Sequence, residues 1–132
     1  MISVSVGERQ VNNMRLFIAV ADQGLRLAMQ VFLHQETGMD VIGLAADSKK
    51  LLAKIEATEP DVLLLDWQLP GKAVAELIQE IRAMELPIQI VVISLRPEED
   101  VAFIDSGVDA YIGKSSLPEE LMDCLQSLRD RQ

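Results

Sequence analysis

The sequence predicts an α/β domain built on a five-stranded, doubly wound parallel sheet, and three observations lead there. Five short runs rich in β-branched and aliphatic residues are spaced along the chain. Segments with apolar residues three and four apart separate them. The runs are also apolar at nearly every position, as expected when helices cover both faces of a sheet, whereas a strand covered on one face alternates.

Taken in order, the first run covers 15–21 and is followed by Leu25, Met29, Phe32 and Leu33 at helical spacing. Gly38 marks a helix stop ahead of the second run, 41–45, and Leu51, Leu52 and Ile55 outline the next helix. Pro60 precedes the third run, 62–65, and Leu77, Ile78 and Ile81 follow it. Pro87 precedes the fourth run, 88–93, after which Val101 and Ile104 mark a helix stopped by Gly107. The fifth run, 110–112, leads to Ser116 and Glu119, a capping-box pattern around Pro118, and then to Leu121, Leu125 and Leu128. The methionines read as core at helical spacing. Residues 1–13 carry no sustained period and read as an N-terminal extension, leaving 14–130 as the domain.

A chain of 132 residues with 49% hydrophobic composition supports one continuous core. Its formal charge of −9 leaves no basic stripe to neutralise nucleic-acid phosphates or attract an anionic membrane, so direct binding to either is not expected. The lone Cys124 closes no internal disulfide and lacks metal-ligand neighbours, consistent with a reducing, cytoplasmic setting. No apolar run reaches the length of roughly 18 residues that a membrane helix needs.

In a doubly wound sheet, ligands bind beyond the carboxyl ends of the strands. The polar residues that follow the runs are Asp22, Asp66, Ser94 and, one past Gly113, Lys114. Each alone has a plainer reading. An Asp ending a strand commonly forms a turn or caps a helix, Lys114 reads as a solvated lysine, and Ser94 as a loop hydroxyl. Together they suit phosphoryl transfer to a carboxylate: one Asp attacks phosphorus, Mg²⁺ offsets the gathering charge, and Lys114 and Ser94 contact phosphoryl oxygens. Tyr111 reads equally as core, Trp67 as a loop shield and natural reporter, and His34 as an exposed helix-end residue.

The segments Ala-Asp-Gln at 21–23, Pro-Asp-Val-Leu-Leu-Leu-Asp-Trp-Gln-Leu-Pro-Gly at 60–71, Val-Val-Ile-Ser at 91–94 and Asp-Ala-Tyr-Ile-Gly-Lys at 109–114 resemble the motifs of bacterial response-regulator receiver domains. The likeness runs over 13–129, and Asp-Val-Ile-Gly-Leu-Ala-Ala-Asp at 40–47 is similar to the nitrate-regulator subfamily, whose members usually carry a helix-turn-helix output domain. The resemblance implies a flavodoxin-like (βα)5 fold with strand order 2-1-3-4-5. It implies Asp66 as phosphoacceptor, Asp22, Asp66 and the Gln68 backbone carbonyl as Mg²⁺ ligands, Lys114 as phosphate partner, and Ser94 and Tyr111 as the switch pair. The implied partners are a sensor histidine kinase, a downstream effector domain or protein and, as an option, a second copy of the chain. Such a domain is a phosphoacceptor in a phosphorelay controlling transcription, not an enzyme in its own right. Its chemistry is limited to self-phosphorylation from small phosphodonors and autodephosphorylation.

Three departures stand out. Most receivers carry two adjacent acids after the first strand, where this chain has Ala21 and Asp22. A unit charge lost from about 5 Å at an effective dielectric of ~20 is on the order of 3 kcal/mol, so weakened Mg²⁺ binding is expected. Lys72, Ala73 and Val74 stand where Met, Asp and Gly are frequent, which predicts a reshaped loop, and Leu95 replaces a small residue beside Ser94. These departures motivate an alternative, a pseudo-receiver acting as a phosphorylation-independent binding or dimerising module. A flavodoxin-like binder or small enzyme is a weaker reading, since no Gly-rich phosphate loop follows the first strand.

Overall fold

The computed structural model describes residues 13–97 and 107–130. Its elements are β1 (Met14–Ala19), α1 (Gln23–His34), β2 (Met39–Ala45), α2 (Leu51–Thr58), β3 (Val62–Asp66), α3 (Val74–Ala83), β4 (Gln89–Ser94), β5 (Ala110–Gly113), a 3₁₀ turn (Lys114–Ser116) and α4 (Glu119–Asp130). The expected extension and the helix expected around Val101 and Ile104 lie outside the described residues.

All five strands pair in parallel in the order β2-β1-β3-β4-β5, as the resemblance implied. Strand alternation sends successive side chains to opposite faces, and here both faces are buried. Phe17, Leu63, Leu65, Ile90 and Val92 pack toward Leu51 and Ile55 of α2 and Leu77, Ile78 and Ile81 of α3. Leu16, Ile18, Leu64, Val91 and Ile93 pack toward Met29 and Leu33 of α1 and Leu121, Leu125 and Leu128 of α4. Two apolar layers therefore fix the sheet's height between helices, which explains the unbroken apolar runs.

The differences from the sequence reading are local. Met14 and Met39 are core residues, but they open strands instead of following a helical period. Helix α1 ends at His34 with Gln35 still right-handed, so Gly38 at φ +85° serves the turn into β2 and does not stop the helix. Ser116 closes the 3₁₀ turn and α4 begins at Glu119, so the capping box is not formed. Pro118 drives the preceding Leu117 into an extended conformation (φ −77°, ψ 148°), which separates Ser116 from the helix start. The pairing of β1 with β2 is irregular at Leu16/Phe17, where Val41 and then Gly43 face the two residues. A Cβ at Gly43 would stand 2.4 Å from the Phe17 ring, so only glycine lets β2 approach there.

The chain runs from β1 outward to β2 and then returns to place β3 on the other side of β1. The strand order therefore reverses between β1 and β3, and it is beyond the carboxyl ends at such a reversal that doubly wound sheets place their ligands. Asp66 ends β3 at that point.

Candidate functional site

Asp66 is fully buried, one of two buried polar residues among those described, the other being Ser94. A carboxylate without water requires donors, and three are supplied. Its Oδ2 accepts from the Ala21 amide at 3.0 Å. Its Oδ1 accepts from the Gln68 amide at 3.0 Å and forms an ion pair with Lys114 Nζ, also at 3.0 Å. The Lys114 side chain is only 17% exposed, so this pair sits largely inside protein.

Each contact follows from the topology. Ala21 lies just past β1, the neighbour of β3, and Gln68 is on the turn closed by Leu69 N–H donating to the Asp66 carbonyl at 3.1 Å. Lys114 immediately follows β5, whose Gly113 pairs with Ser94 at the end of β4, next to β3. Ser94 Oγ accepts from the Arg96 amide at 3.0 Å. Tyr111 is half-buried against the layer beneath α2 and α3.

Asp22 takes up the plainer role weighed for it: it caps α1, its Oδ2 accepting from the Leu25 amide at 2.7 Å. Its second oxygen makes no hydrogen bond among the described residues, and Asp22 directly follows Ala21, whose amide bonds Asp66. The Gln68 carbonyl likewise accepts no hydrogen bond among the described residues. Two carboxylates and an unpaired carbonyl are hard oxygen donors of the type that Mg²⁺ takes together with water, so the residues present fit that ion. They are fewer than a closed cage would supply: among the described residues no group of three His, Cys, Asp or Glu side chains could hold a metal. Leu95 is 63% exposed and leans away from the core beside Ser94. Trp67 is half-buried directly after Asp66, and His34 is exposed, as expected.

Two contributors carried no sequence signal. The Ala21 amide donates through backbone, so its side chain says nothing of it. Ser48, in the connection from β2 to α2, bonds to both sides of Gly71 in the loop after Asp66. At the far side of that loop Lys72 Nζ meets both carboxylate oxygens of Glu80 at 2.5 and 2.6 Å. That hydrogen bond holds the Lys72 ammonium above its ordinary value of 10.5.

The sheet order and this buried acid–lysine pair at the switch point define a signalling receiver in structural terms, and the comparisons agree. The profile of the response regulator receiver domain matches residues 17–126, so the chain belongs to that family. It is 30% identical over 121 residues to the uncharacterized transcriptional regulatory protein YxjL of Bacillus subtilis, covering 89% of this chain and 56% of that one. It is 29% identical over 103 residues to the nitrate/nitrite response regulator NarL of Escherichia coli K12, covering 76% and 48% respectively, in line with the subfamily resemblance. Among solved structures, a LuxR-family DNA-binding response regulator from Staphylococcus aureus superposes with a TM-score of 0.76 at 28% identity, covering 88% of this chain and 98% of that one. The chain spans about half the length of the curated relatives it matches. No helix among the described residues is long and apolar enough to cross a membrane.

Proposed function

We propose that this receiver domain accepts a phosphoryl group on Asp66 from a sensor histidine kinase and thereby alters a protein-binding face. The observation that carries the reading is the Asp66 carboxylate, buried at the switch point and held against Lys114 Nζ at 3.0 Å. A carboxylate oxygen attacks phosphorus, the bond from phosphorus to the donor's histidine nitrogen breaks, and an acyl phosphate remains on Asp66. Lys114, already at the acceptor, turns to a phosphoryl oxygen as charge moves onto it. Asp22, Asp66 and the Gln68 carbonyl would hold Mg²⁺, which supplies positive charge that brings the carboxylate and phosphoryl oxygens together.

Ser94 is the hydroxyl that gains a phosphoryl partner on modification, and Tyr111, on the neighbouring strand β5, is the aromatic that responds. The affected face comprises β5, α4 and the segment around Val101 and Ile104, the last of these outside the described residues. A downstream effector domain or protein, or a second copy of the chain, reads that face in the cytoplasm.

The test is to incubate the chain with Mg²⁺ and acetyl phosphate and record its intact mass. One phosphoryl adduct is expected in the wild type and none in Asp66→Asn. An adduct that persists in Asp66→Asn, or none in the wild type while Ala21→Asp gains one, would overturn the reading. The latter result would favour a domain whose pocket has lost its metal and which works without phosphorylation.

A further inference from the structure

The loop 67–73 joins Asp66 to α3 and carries the Gln68 carbonyl. Its near end is secured by the buried Leu69 and by the turn bond from Leu69 N–H to the Asp66 carbonyl. Its far end lacks the usual local fastening. Ala73 occupies the N-cap of α3 with no side-chain cap bond, where a Ser, Thr, Asp or Asn would normally secure the helix start.

A residue from another loop supplies the fastening. Ser48 N–H donates to the Pro70 carbonyl at 2.9 Å, and Ser48 Oγ accepts from the Lys72 amide at 2.8 Å. The two bonds bracket Gly71, which has φ +110°, and a Cβ there would lie 2.1 Å from Ser48 Oγ. Ser48 is tied down in turn, because its carbonyl accepts from the amide of Leu51, the fully buried first residue of α2. Force on the loop is thus carried into the core beneath α2.

We infer that Ser48 is a positioning residue, which clamps the loop after Asp66 from the β2–α2 connection and so sets the Gln68 carbonyl for metal binding in place of a cap on α3. The inference rests on the reading of Asp66 and its neighbours as the Mg²⁺-assisted phosphoacceptor site. Position matters because Mg²⁺ demands near-ideal geometry at about 2.0–2.1 Å, so a small drift of one ligand costs affinity.

The experiment titrates Mg²⁺ against Trp67 fluorescence in the wild type, Ser48→Ala, Ala73→Asp and the double variant, with Asp66→Asn as control. Amide hydrogen exchange at positions 48 and 72, the two donors of the clamp, is followed without metal. Ser48→Ala should weaken Mg²⁺ binding roughly three- to ten-fold, the scale of one hydrogen bond, and speed exchange at both amides while the unfolding midpoint moves little. Ala73→Asp, by restoring a cap, should recover most of the lost affinity in the double variant. Wild-type affinity in Ser48→Ala, or a loss that tracks the unfolding midpoint and is not rescued, overturns the inference. A wild type with no saturable Mg²⁺ response, indistinguishable from Asp66→Asn, instead sinks the phosphoacceptor reading and Ser48's part in metal binding with it. Exchange at positions 48 and 72 then decides the clamp alone, and unchanged exchange in Ser48→Ala refutes it.

Discussion

At the scale of single residues, the Asp66–Lys114 pair shows how a buried carboxylate is held by protein groups. Two backbone amides and one ammonium satisfy the buried carboxylate, so protein groups alone compensate its charge. Removing one partner of a buried pair is costly because the other charge remains in protein. In Lys114→Met, Asp66 would keep its two amide donors, and the expected loss is about 2–3 kcal/mol, at the low end of the cost of removing one partner of a buried pair. Adding Asp66→Asn should recover most of that loss, since no orphan charge is left. Urea unfolding of the two single variants and the double variant measures both effects. A Lys114→Met protein as stable as the wild type would mean that the two amides suffice to compensate Asp66.

Elements are where the sequence was most legible, and where it was not the reason is tertiary. The strands were readable because both faces are buried and the pattern admits few other interpretations. Their ends shifted because an apolar run can outlast its ladder: β1 ends at Ala19, yet Val20 N–H still bonds the Ala45 carbonyl, and the Ala21 amide turns to Asp66. Asp66, Ser94 and Lys114 could be placed at strand ends because topology forces such residues to one edge. The backbone donors to Asp66 and the Ser48 clamp depend on how two loops pass each other, which no local pattern records. Arg82 on α3 is another such case. Its Nε donates to the Gly107 carbonyl at 2.9 Å, one terminal nitrogen to the Ile88 carbonyl at 2.5 Å, and the other to Asp109 at 2.9 Å. Asp109 also accepts from the Ile90 amide at 2.7 Å, so one guanidinium ties α3 to the approaches of both β4 and β5. A lysine keeps the charge but lacks the planar fork, so Arg82→Lys should lose about 1–2 kcal/mol by chemical denaturation. An unchanged midpoint would show that these strand entries hold themselves.

The whole molecule is governed by its charge, 21 acids against 12 bases. At 10 mM salt the screening length is about 30 Å, longer than the domain's radius, so every acid feels every other; at 150 mM it is about 8 Å. Exposed pairs such as Lys72–Glu80 weaken with salt, but the net repulsion they oppose weakens too, and the excess of acids decides the sign. The thermal midpoint should therefore rise as NaCl increases from 10 to 150 mM, in the wild type and in Asp66→Asn alike. Mg²⁺ at constant ionic strength separates the local site from this general field. A ligand present at ten times its Kd adds about 1.4 kcal/mol to the native state, which is roughly 3–6 °C for a domain of this size. That increment should appear in the wild type at millimolar Mg²⁺, grow in Ala21→Asp at the same concentration, and vanish in Asp66→Asn, leaving the NaCl effect intact. Equal Mg²⁺ increments in all three proteins would assign the stabilisation to diffuse screening of the acidic surface and remove Asp66 as its focus.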